Sequence, residues 1–167
     1  MAIKKIIFLG DKTLRSRSLP ITKFGTKELI ELEIDLRETL NGFKERFNYG
    51  RGIAAIQLGV PKNVIYIKTE EFEGMLINPE IKNKSKKMFW TWDSCFSVNN
   101  AFFIKVLRHC HIEVNYSDLQ GNKNSLTASK DLAELLQHEI DHLYGQLFID
   151  LWDKDKNKFI MKEEYSN

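Results

Sequence analysis

The chain is 167 residues long, a length that suits one domain, residues 1–167, with its own core and no need of disulfide staples. With 43% apolar and 29% charged residues and only 9 glycines and 3 prolines, it falls outside the collagen-like, low-complexity and disordered classes. A formal charge of +2 offers neither a basic patch for nucleic acid nor an acidic tail.

Residues 1–12 carry two lysines, Lys4 and Lys5, ahead of an apolar run, residues 6–9, too short for a signal-peptide core, and are expected to form a first strand or loop. No segment approaches the roughly 20 apolar residues of a membrane span, and Cys95 and Cys110 are too few for a disulfide framework. A cytoplasmic, reducing location is expected, where a cysteine matters as a thiolate.

Leu29, Leu32, Leu36, Leu40, Phe43 and Phe47 recur at spacings of three and four, predicting an amphipathic helix over residues 27–47 capped by Thr26. A turn-forming stretch, Asn48-Tyr49-Gly50-Arg51-Gly52, follows and is a candidate site element. Strand patterns occupy residues 63–68, 74–81, 102–107 and 111–118. The last turns at residues 119–122 into a hairpin through Ser125 and Thr127. A second helix is predicted from an N-cap at Ser129 to Tyr144, stopped by Gly145. Strands grouped between two helices indicate an α+β fold with largely antiparallel sheets. Residues 152–167 are charged and fit a short helix, a strand or disorder equally.

The second helix contains Gln137-His138-Glu139-Ile140-Asp141-His142. Residues four apart share a helix face, so His138 and His142 can offer two imidazoles to one metal ion, with Glu139 beside them to handle a water proton. Asp141 projects away from that face and is expected to support it. A hydrolytic site of this kind needs a third protein ligand and an open position. A histidine six residues after His142 is excluded, because that position is Phe148. Glu163 and Glu164, close to the C-terminus, are read as solvated charges. Cys95, in the turn-like stretch Trp92-Asp93-Ser94-Cys95-Phe96-Ser97, completes a Cys-His-His set, although a lone buried cysteine is ordinarily an inert hydrophobe.

Three blocks now carry a resemblance. Residues 50–57, Gly-Arg-Gly-Ile-Ala-Ala-Ile-Gln, are similar to the GxGΦAAxQ pattern of peptide deformylases. Asp93-Ser94-Cys95-Phe96-Ser97 resembles their EGCLS block in degenerate form, and residues 138–142 match HExDH. Further echoes lie in residues 1–6, 60–67 and 77–79, so the likeness spans residues 2–150. It implies a metal-dependent hydrolase that removes the formyl group from the N-terminal methionine of new polypeptides. The implied metal ligands are Cys95, His138 and His142. Glu139 would be the acid-base residue, the Gln57 amide and the Phe96 N–H would steady the developing oxyanion, and Gly52, Ile53 and Ser94 would border the substrate. Fe(II) is the metal implied in the cell, with Zn or Ni in purified protein. The implied partner is an N-formylated peptide, met at the ribosome.

Three departures bear on that expectation. Asp93 replaces the family's glutamate and is expected to face Arg108 through a longer or water-bridged contact, unless both are surface charges. Ser94 replaces a glycine and would crowd the substrate. Asp131 and Glu134 lie seven and four residues before His138, on the stripe that faces the metal. Asp131 either alters the methionine pocket or only complements the helix N-terminus. Alternative readings are a hydrolase of another N-formyl substrate, or a metal-binding relative with little activity.

Overall fold

The computed structural model describes residues 3–153, 155, 156 and 158–165; Met1 and Ala2 of the motif-like opening, and the side chain of Glu164, lie outside the description. Among the described residues, eight strands form two sheets. The larger is built from β1 (Gly52–Ala54), β2 (Val64–Lys68), β3 (Glu73–Lys84), β6 (His111–Ser117) and β7 (Lys123–Ser129), in the order β1-β2-β3-β6-β7. The smaller contains β4 (Met88–Asp93), β5 (Phe102–His109) and β8 (Phe159–Met161), in the order β4-β5-β8. Every strand pairing is antiparallel, as expected for the α+β class.

Two long helices cover the larger sheet. In α1 (Lys27–Phe47), Thr26 Oγ1 accepts from Leu29 N and Asn48 closes the far end in a left-handed conformation. Gly42 lies within the last turns of the helix. The strand period of two divides the sheet's side chains between the helices. Val64, Tyr66, Met75 and Ile77 join Leu29, Leu32, Leu36 and Leu40 beneath α1. Ile65, Ile67 and Leu76 join Leu132, Leu136, Ile140 and Leu143 beneath α2 (Lys130–Leu143).

Ser129 occupies the N-cap position of α2, as predicted, but without the side-chain bond that usually marks a cap. Its Oγ lies 2.9 Å from His111 Nδ1. The N-terminal stretch is extended coil without strand pairing, yet it ties two motif segments together. Ile7 N donates to Gln57 O at 2.8 Å and Leu9 N to Ser97 O at 2.7 Å. The tail contributes β8 and one helical turn, α3 (Lys162–Tyr165).

Candidate metal centre and cleft

Helix α2 crosses between the two sheets and presents His138, Glu139 and His142 on its buried side. Cys95 arrives from the opposite wall, where β4 ends and a 3₁₀ turn, Phe96–Val98, begins. Cys95 Sγ lies 3.3 Å from His142 Nε2, and one donor atom each from Cys95, His138 and His142 falls within 4.8 Å of the others. Ligands held at about 2.0–2.3 Å around a tetrahedral ion stand about 3.5 Å apart, so this spacing fits one cation. Thiolate with two imidazoles is also a donor set suited to zinc and its transition-metal neighbours.

The groups behind these donors are tied in turn. Asp93, on the inner face of β4, places Oδ1 2.7 Å from His138 Nδ1 and accepts from Arg108 Nη2 on Oδ2 at 2.9 Å. Arg108 Nη1 donates to Asp141 Oδ2 at 2.5 Å. The expected Asp93–Arg108 pairing is therefore direct rather than longer or water-bridged, and both partners are buried rather than on the surface. Burial opposes the Asp93 charge, but His138 and Arg108 outweigh it and hold the carboxyl well below its usual range. Burial also opposes a proton on His138, and there the Asp93 carboxylate wins, raising that imidazole. With burial and the His138 charge acting together, His142 is lowered and stays neutral. Asp141 supports Arg108, as its position off the histidine face implied.

Glu139 stands across from Cys95 in a cavity of about 450 Å³. Its Oε2 is buried with no hydrogen-bond partner among the described residues, and burial pushes its carboxyl up to about 7. A carboxyl so placed can take and return a proton near neutral pH. Gly52 makes room for it, since a Cβ there would stand 2.8 Å from Glu139 Oε1.

Gln57 is fixed at both ends of its amide. Oε1 accepts from Ala54 N at 2.8 Å, and Nε2 lies 3.3 Å from both Cys95 Sγ and Ser97 Oγ. The Phe96 N–H is at the first position of a 3₁₀ turn, where a helical N–H has no acceptor within the turn.

Of the residues singled out from sequence, Gly52, Gln57, Asp93, Ser94, Cys95, Phe96, His138 and Glu139 line this one cavity; His142 sits behind Cys95. Ile53 does not line it, because its fully buried side chain enters the core beneath α1. The Ser94 hydroxyl does not simply crowd the cleft: it donates to Phe102 O at 2.7 Å. The pocket role considered for Asp131 fails, since its side chain is exposed and outside the lining. Glu134 does line the cavity and accepts from Arg51 Nη2 at 2.7 Å. Glu163 is exposed and lies outside the cavity lining.

Sequence reading marked Phe96 and the turn at residues 48–52 but missed the aromatic rim that their rings help to form. Phe47, Tyr49 and Phe96 form a row of rings, with Phe47–Tyr49 centroids at 5.8 Å and Tyr49–Phe96 at 6.3 Å. Trp92, Asn100, Phe103 and Lys162 complete it. Tyr49 was within reach of sequence reasoning, being in the glycine-rich turn; Lys162 carries no local signal.

Residues 3–158 match the family model for polypeptide deformylase. A peptide deformylase of Afipia carboxidovorans is 37% identical over 98% of this chain and 94% of its own length. One from Pelagibacter ubique is 36% identical, with the same coverage of both chains. The crystal structure of peptide deformylase from Thermotoga maritima superposes with a TM-score of 0.84 at 27% identity, covering 92% of this chain and 99% of that one. A peptide deformylase structure from Legionella pneumophila gives 0.82 at 32% identity, covering 93% and 89%. The chain belongs to the peptide deformylase family, metal-dependent hydrolases that act on polypeptides.

Proposed function

We propose that residues 1–167 act as one catalytic domain in which Cys95, His138 and His142 hold a single divalent ion and Glu139, Gln57 and the Phe96 N–H perform the hydrolysis of an N-formyl group. The convergence of those three donors opposite a buried carboxyl with an unpartnered oxygen carries this reading. A divalent ion bound there supplies Lewis acidity and makes water a competent nucleophile near neutral pH. Glu139 takes the proton of the attacking water and returns it to the leaving amine. The Gln57 Nε2–H and the Phe96 N–H point their partial charges at the oxyanion that develops from the formyl carbonyl, at about 10²- to 10³-fold in rate per donor. Gly52 and Ser94 border the substrate and Ile53 supports that wall from the core beneath α1, while Asp93, Arg108 and Asp141 fix the orientation of His138.

The substrate is the formylated N-terminal methionine of a new polypeptide, encountered in the cytoplasm at the ribosome. A thiolate and two imidazoles accept several first-row ions, and Fe(II) is the proposed ion in the cell, with Zn or Ni replacing it during purification. No helix of the described residues is long and apolar enough to cross a membrane.

The test is turnover of formyl-Met-Ala-Ser against acetyl-Met-Ala-Ser by protein reconstituted with each metal. Formate release from the first substrate alone is expected. Glu139→Ala should retain stoichiometric metal while losing at least about 10²-fold in kcat, the range set by acid-base catalysis. Activity near the wild-type level in that variant would remove Glu139 from the proposed role.

A further inference from the structure

One buried charge in the cavity has no part in the proposed hydrolysis. Of the buried ionisable side chains in the lining, Asp93, Cys95, His138 and Glu139 are already engaged there, and Glu134 is not. Glu134 sits one turn before His138 on α2, and one donor atom each from Asp93, Glu134 and His138 falls within 4.8 Å of the others. Its Oε2 accepts from Arg51 Nη2 at 2.7 Å, with 5% of the Glu134 side chain and 45% of the Arg51 side chain exposed. Arg51 comes from the turn before β1, between Gly50 and Gly52, and lines the same cavity. Its Nη1 makes only a long contact with Asp131 O, 3.5 Å, and its Nε has no acceptor among the described residues.

A carboxylate only accepts hydrogen bonds, and a guanidinium only donates them, through five N–H groups in a planar fork. The pair therefore leaves surplus donors in a lining that also contains the apolar side chains of Leu135 and Phe96. In a formylated peptide the Cα of the first residue is bonded to the nitrogen that carries the formyl group. With the formyl carbon at the metal donors, that residue's side chain lies within its own length of His138. Glu134 is inside this radius, and Arg51 is one hydrogen bond further out. A long unbranched side chain along that wall brings its tip to the guanidinium.

We propose that the Arg51–Glu134 pair sets specificity for the first residue, Glu134 fixing the guanidinium and Arg51 donating to an acceptor at the tip of the side chain. A thioether sulfur is a weak acceptor, a sulfoxide oxygen a strong one and a methylene none. N-formyl-methionine sulfoxide is thus a further substrate, hydrolysed to formate and a free amine with its sulfoxide unchanged. The inference rests on the deformylase reading for the position of the formyl group. An ion pair that merely fastened the turn to α2 would be blind to the atom at the tip.

The experiment uses the full-length, metal-loaded protein and formyl-Met-Ala-Ser, its norleucine analogue and its methionine sulfoxide analogue. In wild type kcat/KM should rise from norleucine through methionine to the sulfoxide, by about tenfold from first to last, the lower end of what a hydrogen bond to a charged group contributes. Arg51→Met combined with Glu134→Leu replaces the pair by apolar surface and should invert the order, because the sulfoxide then gives up its hydration for no donor. Arg51→Gln, a milder change at a half-exposed position, should hold the spread below about threefold even if the double variant does not fold, since a neutral donor contributes less. A wild type that does not favour the sulfoxide over norleucine overturns the inference, as does either variant keeping the wild-type spread.

Calorimetric binding of the same three peptides to metal-loaded Glu139→Ala reads the order without turnover. That order in affinity, with no turnover of any peptide by wild type, would sink the proposed catalysis and leave the role of the pair standing. Turnover without the order overturns the role of the pair alone.

Discussion

Arg108 carries more of the site's architecture than its distance from the cavity implies. One guanidinium spans Asp93 and Asp141, linking β4 to α2, and the second oxygen of Asp93 sits against His138. Its planar fork can serve both carboxylates at once, whereas a lysine offers a single point of charge. Removing it with Arg108→Met leaves Asp93 buried with only His138 beside it. Breaking a buried pair from one side costs about 3–5 kcal/mol. Urea unfolding should show a loss of that size, accompanied by weaker metal retention as His138 loses its fixed neighbour. A variant with wild-type stability would mean that the triad contributes little. The pairing was legible in sequence only as a possibility, because Asp93 and Arg108 are 15 residues apart and nothing local says that they share a buried face. Arg51 with Glu134 was less legible still: the helix stripe marked Glu134 as facing the site, but its partner comes from a loop 83 residues earlier.

Elements were readable where local physics and tertiary packing agree. Helix α1 runs over Lys27–Phe47 because a capping threonine, a regular apolar stripe and a closing left-handed asparagine all specify the same span. Strand β4 defeats pattern reading because its faces are inverted. Phe89, Thr91 and Asp93 share the inner face with Arg108, Val106 and Ile104, while Trp90 and Met88 stand exposed on the other. Large apolar residues outside and a charge inside look like a turn next to a motif, and only pairing with β5 makes the segment a strand. Strand β8 has three residues and owes its existence to the same neighbour.

Gly145, expected to end α2, does more than stop it. Its φ is +73°, and a Cβ would meet the carbonyl oxygen of Arg15 at 2.5 Å. Leu143 O receives Ser18 N at 2.8 Å nearby, so the helix end is clamped against the N-terminal loop. Gly145→Ala must both adopt a left-handed backbone and displace a main-chain group, at about 1–3 kcal/mol. For a chain of this size each kcal/mol lowers the midpoint by about 2–4 °C. A thermal melt displaced by less than about 2 °C would show that the loop yields freely.

At the scale of the whole molecule, the proposed metal centre adds a further tie between sheets and helix that Arg108, Asp93 and Asp141 already link. Cys95 hangs from the three-stranded sheet and both histidines from the helix that backs the five-stranded one, with Cys95 and His138 43 positions apart in the chain. The sequence made the helix pair plain because i and i+4 is a local relation, and made the cysteine plausible only through its motif. That it arrives 3.3 Å from His142 is a product of packing. An ion that binds the folded chain and not the unfolded one stabilises it by about 2.7 kcal/mol when present at 100 times its dissociation constant. Chelation should therefore lower the melting temperature by about 5–10 °C at saturating metal. Cys95→Ala, which removes one proposed ligand without adding bulk, should melt close to the chelated wild type and respond little to added metal. If calorimetry instead finds the same metal-dependent gain in that variant, the ion is bound elsewhere and does not bridge the two sheets.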